Sequence, residues 1–233
     1  MNWILLLEQT LNGLQFGILL FLLAAGLTLI FGIMDLINLA HGSLYMIGAY
    51  FAATFTQWTD SFLLGALLAL PACMLFGVIL ERITLRTLYT RSHLDQVLAT
   101  FGLILFFNEF VRLIWGPIGL DIPLPELLSG SVELFFGISY PAFRLVIIAV
   151  GIVVAFLLYL LVSKTKIGML IRAGASNRQM VSALGININL LYTLVFGLGA
   201  ALAGLAGLMA GPIMTVEIGM GEGILIITFV VIV

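Results

Sequence analysis

The sequence predicts an all-α, polytopic transmembrane helical bundle, and three observations lead there. Hydrophobic residues make up 63% of the 233 residues and charged residues only 9%. The mean hydropathy is +1.27, whereas soluble domains carry about 25% charge and about 45–50% apolar residues. So few charges cannot coat a water-facing surface, so lipid must be the solvent for most of it. Second, six apolar runs (10–33, 38–57, 62–80, 97–115, 144–162 and 187–210) approach the length of about 20 residues that a helical span needs. Third, the runs are continuous and lack period-two alternation, which favours helices over barrel strands.

The first run is read as a retained helix. Residues 1–9 hold Glu8 and no Lys or Arg, so the basic start of a signal peptide is missing, and no small-residue cleavage site leads into a polar region. A seventh apolar stretch begins near Gly223 and reaches Val233, too short to cross a bilayer. Residues 1–233 are therefore expected to be a single transmembrane domain that stops inside a helix.

Orientation follows the cations. The link 81–96 holds Arg82, Arg86 and Arg91; the link 163–186 holds Lys164, Lys166, Arg172 and Arg178. The link 116–143 has no Lys or Arg but has Asp121, Glu126 and Glu133. The positive-inside rule puts the first two in the cytoplasm and the third outside. Two spans separate the basic links, so the assignment is self-consistent. Counting back, the N-terminus lies outside and the 34–37 turn lies on the cytoplasmic side, unless that link is re-entrant. Link 116–143, rich in Pro and Gly, is expected to be irregular, with a short interfacial helix near 127–136.

Polar residues inside the apolar runs are the candidates for function. The junction 32–42 places Asp35, Asn38, His41 and Gly42 between two runs. On a helix, Asn38, His41, Tyr45, Gly48 and Ala52 share one face. That face points to a neighbouring helix or a water-filled path, and Asp35 or Asn38 can also cap the second span. Asn108 and Glu109 sit in the fourth run, where Glu109 can pair with Arg112. Glu217 and Glu222 flank a Gly-rich break that is either an outer loop or a broken helix. Breaks with acids in both halves suit a transport path. The candidate path residues are thus Asp35, Asn38, His41, Gly42, Tyr45, Asn108, Glu109 and Glu217. Gly197, Ala200, Gly204, Gly207 and Gly211 form a small-residue stripe that predicts tight helix packing.

Several functions are disfavoured. A net charge of −2 gives no hint of a nucleic-acid partner. One cysteine, Cys73, rules out a disulfide framework within the chain. The two histidines, His41 and His93, lie in different elements, so a metal site is poorly supported. No phosphate-binding loop or hydrolase motif is present, so the chain does not hydrolyse ATP itself and is not read as an enzyme. Within the second basic link, Ser176 or Asn177 can cap a short helix near 177–184 that Gly185 ends. Such a helix on the cytoplasmic side is a candidate docking element.

Three blocks make the sequence resemble the membrane permeases of branched-chain amino acid ABC importers, the LivH kind. They are residues 26–50 with Asn-Leu-Ala-His-Gly at 38–42, residues 80–102 with Asp-Gln-Val-Leu-Ala-Thr-Phe-Gly, and residues 168–212. The resemblance implies a fold of the ABC importer permease type in the bacterial inner membrane. It implies a second, similar permease, two cytoplasmic ATPases that hold the ATP and Mg, and a periplasmic amino-acid-binding protein as partners. This chain would then bind no cofactor of its own. The link 164–186 is similar to the family's coupling loop, which implies Arg172, Ala173, Asn177, Gln179, Ala183, Leu184 and Gly185 as ATPase contacts. The Glu-Ala-Ala signature of other ABC permeases is replaced here by Gln179-Met180-Val181. Branched-chain amino acids are the expected substrate; urea or short amides remain open within the family, and a stand-alone channel or secondary transporter outside it.

Overall fold

In the computed structural model, which describes residues 3–134 and 138–232, the chain is overwhelmingly helical. In order the elements are α1 (Trp3–Met34), α2 (His41–Thr59), α3 (Phe62–Ile83), a 3-10 turn (Leu85–Leu88), α4 (His93–Trp115), α5 (Glu126–Ser129), the hairpin of β1 (Ser131–Leu134) and β2 (Ile138–Pro141), α6 (Ala142–Lys164), α7 (Lys166–Ser176), α8 (Arg178–Ala183), α9 (Ile188–Ala210) and α10 (Met220–Ile232). Among the described residues, α1, α3, α4, α6 and α9 are long and apolar enough to cross a membrane. The chain is a multi-pass membrane protein of helical type.

The helix α2 is missing from those five, and its surroundings explain why. Every residue from His41 to Tyr50 is buried. Protein rather than lipid surrounds this half of α2, so it needs no continuously apolar surface. Its main neighbours are α9 and α3, with α10 at its first turn and Trp115 of α4 against Tyr50 and Thr54 further along. The small-residue stripe of α9 makes that packing possible. A Cβ placed on Gly204 would lie 2.5 Å from Cys73 Sγ, and one on Gly48 would lie 2.7 Å from the Gly204 carbonyl oxygen. Backbone therefore touches backbone where α2 crosses α9. Cys73 is fully buried in the same contact, and its thiol lies 3.2 Å from the Ala200 carbonyl. By contrast, α6 packs chiefly on α1 and turns most of its surface to lipid.

Three expectations change. The second span starts at His41, not Asn38, because residues 35–40 leave the helix. Neither Asp35 nor Asn38 caps α2: its N-cap is Ala40, with no side-chain bond. Asp35 instead ends α1 in the left-handed region (φ 54), its amide donating to the Phe31 carbonyl at 2.9 Å. The outer segment expected to be helical near 127–136 forms the one-turn α5 and then the hairpin, with Val132 opposite Tyr140. Residues 135–137 of that expectation lie outside the described residues. Alternating Ser131-Val-Glu suits a strand better than a helix face.

Sequence reasoning also left α7 as part of a link. Thr165 caps it by accepting the Gly168 amide at 3.0 Å. Its neighbour α8 matches expectation: the Asn177 side chain accepts the Met180 amide at 2.9 Å. Gly185, at φ 84, then turns the chain toward α9.

Candidate functional site

Two breaks in the helical pattern meet inside the bundle. The first is 35–40, between α1 and α2. It brings His41 to the level of Gly26 and Gly199, and Gly199 lies near the midpoint of α9. A Cβ on Gly26 would sit 3.1 Å from His41 Nε2 and 2.7 Å from the Gly199 carbonyl. Helix α2 thus begins well inside the bundle. The second break is 211–219, after α9. It pairs with the outer link through the bridge Leu120–Val216, then descends until the Gly219 amide reaches Met46 Sδ at 3.3 Å. There α10 begins, with the backbone of Gly221 pressed on that of Gly42. The N-terminal ends of α2 and α10 therefore meet at mid-depth.

The seam between them is lined by Gly42, Ser43, Met46, Asn108, Gly221 and Glu222, among others. It encloses only ≈ 10 Å³, about what one water needs. In this state the seam is shut. Asn108 Nδ2 donates to Glu222 Oε1 at 2.7 Å across it. Of the sequence-derived candidates, Gly42 and Asn108 lie on this seam. Asn38 and His41 are fully buried beside it, and no side-chain nitrogen or oxygen of either finds a partner. Tyr45 is buried in the same packed core. Glu109 turns outward to pair with Arg112 at 2.8 Å, both exposed. Asp35 is exposed at the other end, and Glu217 is exposed in the 211–219 connection. Glu222 is exposed as well but lines the seam through its bond to Asn108; it carried the same sequence signal as Glu217, and only this contact separates them.

The non-helical segment 35–40 needs partners for its amides, since unpaired backbone inside a bundle is costly. Helix α4 supplies them. Gln96 Oε1 accepts the Ile37 amide at 3.1 Å, and Thr100 Oγ1 accepts the Leu39 amide at 3.2 Å. Both side chains are buried. Their sequence signal was a polar pair, four residues apart, at the start of an apolar run.

A second polar cluster, also unforeseen, lies at the end of the bundle that holds the basic links. Glu81 is fully buried near the end of α3. Its carboxylate accepts Arg86 Nε at 3.2 Å, Arg86 Nη2 at 3.3 Å, the Tyr89 hydroxyl at 2.8 Å and the Thr193 hydroxyl at 2.8 Å. Burial first, then the hydrogen bond to Glu81 and its charge, push the Tyr89 hydroxyl well above the ordinary tyrosine range. It stays a donor at every physiological pH. The cluster ties α3, the 84–92 link and α9 together. Arg86→Met should strand the buried carboxylate and cost about 3 kcal/mol, seen as a lower thermal midpoint. Glu81→Gln combined with Arg86→Met should recover much of that loss.

Asp35, Arg86, Arg91, His93, Arg178 and Tyr192 line one cavity of ≈ 690 Å³. Both basic links and the end of α1 therefore share one end of the bundle, as the charge pattern required. On that end α7 and α8 present the residues implied as docking contacts. Arg172, Asn177, Gln179, Ala183, Leu184 and Gly185 are exposed, and Ala173 is half-buried. Met180 and Leu184 are apolar yet 64% and 74% exposed. Arg172 reaches back to the Val162 carbonyl, holding α7 against the end of α6.

Residues 9–233 match the family described as branched-chain amino acid transport system / permease component. The chain belongs to this permease family. The permease is 33% identical over 218 residues to the high-affinity branched-chain amino acid transport system permease protein BraD of Pseudomonas aeruginosa, covering 88% of this chain and 70% of that one. It is 32% identical to LivH of Salmonella typhimurium and 31% identical to LivH of Escherichia coli K12, over the same shares. No solved structure matches the permease.

Proposed function

We propose that this permease is a path-forming subunit of an ABC importer for branched-chain amino acids, working in a bacterial inner membrane. The observation that carries the reading is family membership across nearly the whole chain, joined to two broken segments that meet at mid-depth. Breaks of this kind mark transport paths at the interface of two halves. A zwitterion suits the seam: two helix N-termini favour a carboxylate, and Glu222 beside Asn108 offers an acceptor for an ammonium. The apolar lining from Leu39, Met46, Ile104 and Leu225 suits a branched aliphatic side chain. Asn38, His41 and Tyr45 are the buried groups that a rearranged seam would expose.

Without a phosphate-binding loop, the permease takes its energy from partners. Two ATPases dock on the 164–186 segment through α8, ATP binding moves it, and the spans swing around the seam. A second permease completes the path, and a periplasmic binding protein delivers substrate.

The test is an affinity pull-down from mild detergent, followed by leucine uptake in vesicles loaded with ATP. Recovery of two ATPases and a second permease, with ATP-dependent uptake, is the expected result. A homo-oligomer that passes solute without any ATPase would replace the importer with a channel or secondary transporter. Urea uptake in place of leucine would keep the importer and change its substrate.

A further inference from the structure

We propose that Gln96 and Thr100 are positioning residues that hold the break before α2 and relay movement of the cytoplasmic link 84–92 to the seam. The relay rests on the importer reading above; the holding role does not.

The geometry is a continuous chain of hydrogen bonds. Thr100 Oγ1 accepts the Leu39 amide at 3.2 Å while donating to the Gln96 carbonyl at 2.8 Å. Gln96 Oε1 accepts the Ile37 amide at 3.1 Å. The same side chain's Nε2 donates to the Leu88 and Arg91 carbonyls at 3.3 and 3.4 Å. One amide group thus grips both the break and the cytoplasmic link. The link is in turn fixed to α3 and α9 by Arg86 and Tyr89 on Glu81, and by Arg86 on Thr193 at 3.0 Å. Tyr89 also packs edge-on against Tyr192 of α9, ring centroids 5.2 Å apart. Helix α9 follows the docking segment directly, its first turn capped by Asn187.

This arrangement makes the break specific rather than slack. Each of the two amides has a single side-chain acceptor from α4, so losing it inside the bundle is costly. The break sets where His41 and Gly42 stand, and Gly42 closes the seam on Gly221. A shift of the link by one hydrogen bond's length therefore moves one lip of the seam. Direct contact between link and seam is not needed, because Gln96 spans link and break and the break leads into Gly42 at the seam.

Thr100→Val is the test, because it keeps the shape of the side chain and removes the acceptor and donor; Thr100→Ser keeps both. Two quantities are read on the permease purified with whatever subunits accompany it. Amide exchange over a peptide spanning 35–42 is expected to rise about tenfold in Thr100→Val and to return in Thr100→Ser. Leucine taken up per ATP hydrolysed is expected to fall about tenfold in Thr100→Val, with hydrolysis itself retained, and to recover in Thr100→Ser. Exchange unchanged by Thr100→Val overturns the holding role. Faster exchange with an unchanged uptake-to-hydrolysis ratio overturns the relay and leaves a structural bond. If no ATPase accompanies the permease, the importer reading and the relay fall together, and the exchange measurement still decides the holding role.

Discussion

Gly48→Leu should abolish recovery of folded permease, and Gly48→Ala should already lower its thermal midpoint sharply. A Cβ at Gly48 would lie 2.7 Å from the Gly204 carbonyl oxygen and 2.8 Å from its carbonyl carbon. Those are backbone atoms of a buried helix, so nothing nearby can rotate away. Forcing extra volume into a packed core costs about 1–3 kcal/mol, and a backbone obstacle sets the cost at or above the top of that range. Lipid offers no hydrophobic drive to hold the two helices together once close contact is lost. Gly204→Ala meets a different obstacle. Its Cβ would lie 2.5 Å from Cys73 Sγ and 2.8 Å from Cys73 Cβ, so trimming Cys73 to alanine should relieve part of the clash. The check is the yield of monodisperse protein in mild detergent and its thermal midpoint, for the three single variants and for Gly204→Ala with Cys73→Ala. Rescue of Gly48→Ala by any side-chain trimming would show that the crossing is looser than the structure has it.

The second large effect is expected on the cytoplasmic face. Leu184→Glu should cut ATP-driven uptake by about 30-fold while leaving the amount of folded permease unchanged. Leu184 is 74% exposed and Met180, one turn earlier on α8, is 64% exposed. Two apolar side chains held out by a short capped helix cost little to alter in the isolated chain, and under the proposed importer reading they are the anchor for an ATPase. Truncating or charging such an anchor removes about 2 kcal/mol or more of docking free energy. Gly185→Val should act by another route. Its φ of 84 costs an L-residue about 1–2 kcal/mol, and a β-branched one more. That substitution should tilt α8 rather than remove a contact. Arg172→Glu should loosen α7 from the Val162 carbonyl, lowering uptake with a modest loss of stability. Each variant is checked by counting ATPase recovered per permease beside uptake. Full ATPase recovery with Leu184→Glu would move the docking surface elsewhere.

Much of the fold was legible because the bilayer imposes simple demands. Span length, continuity of apolar runs and the side on which cations gather are local or additive properties. They located all six runs as helices and placed both basic links at one end. Caps were legible where they are local, as at Asn177 on α8. They failed at 35–40, because the choice between helix and break there depends on partners far along the chain, Gln96 and Thr100.

The sequence by itself determined that this is a helical membrane protein, which links share one end of the bundle, and which residues are too polar or too small to be chance lipid-facing choices. The tertiary structure alone decided what each of those residues touches. Asn108 and Glu109 are adjacent in sequence, yet one closes on Glu222 and the other turns outward to Arg112. Glu81 looked like the edge of a cytoplasmic link and is instead a buried acceptor for Arg86, Tyr89 and Thr193. The physical reason is that spanning a membrane follows from local composition, whereas a hydrogen bond requires two groups to arrive within about 3 Å. In this chain the meetings that build the seam, the break and the Glu81 cluster join residues that the sequence holds far apart.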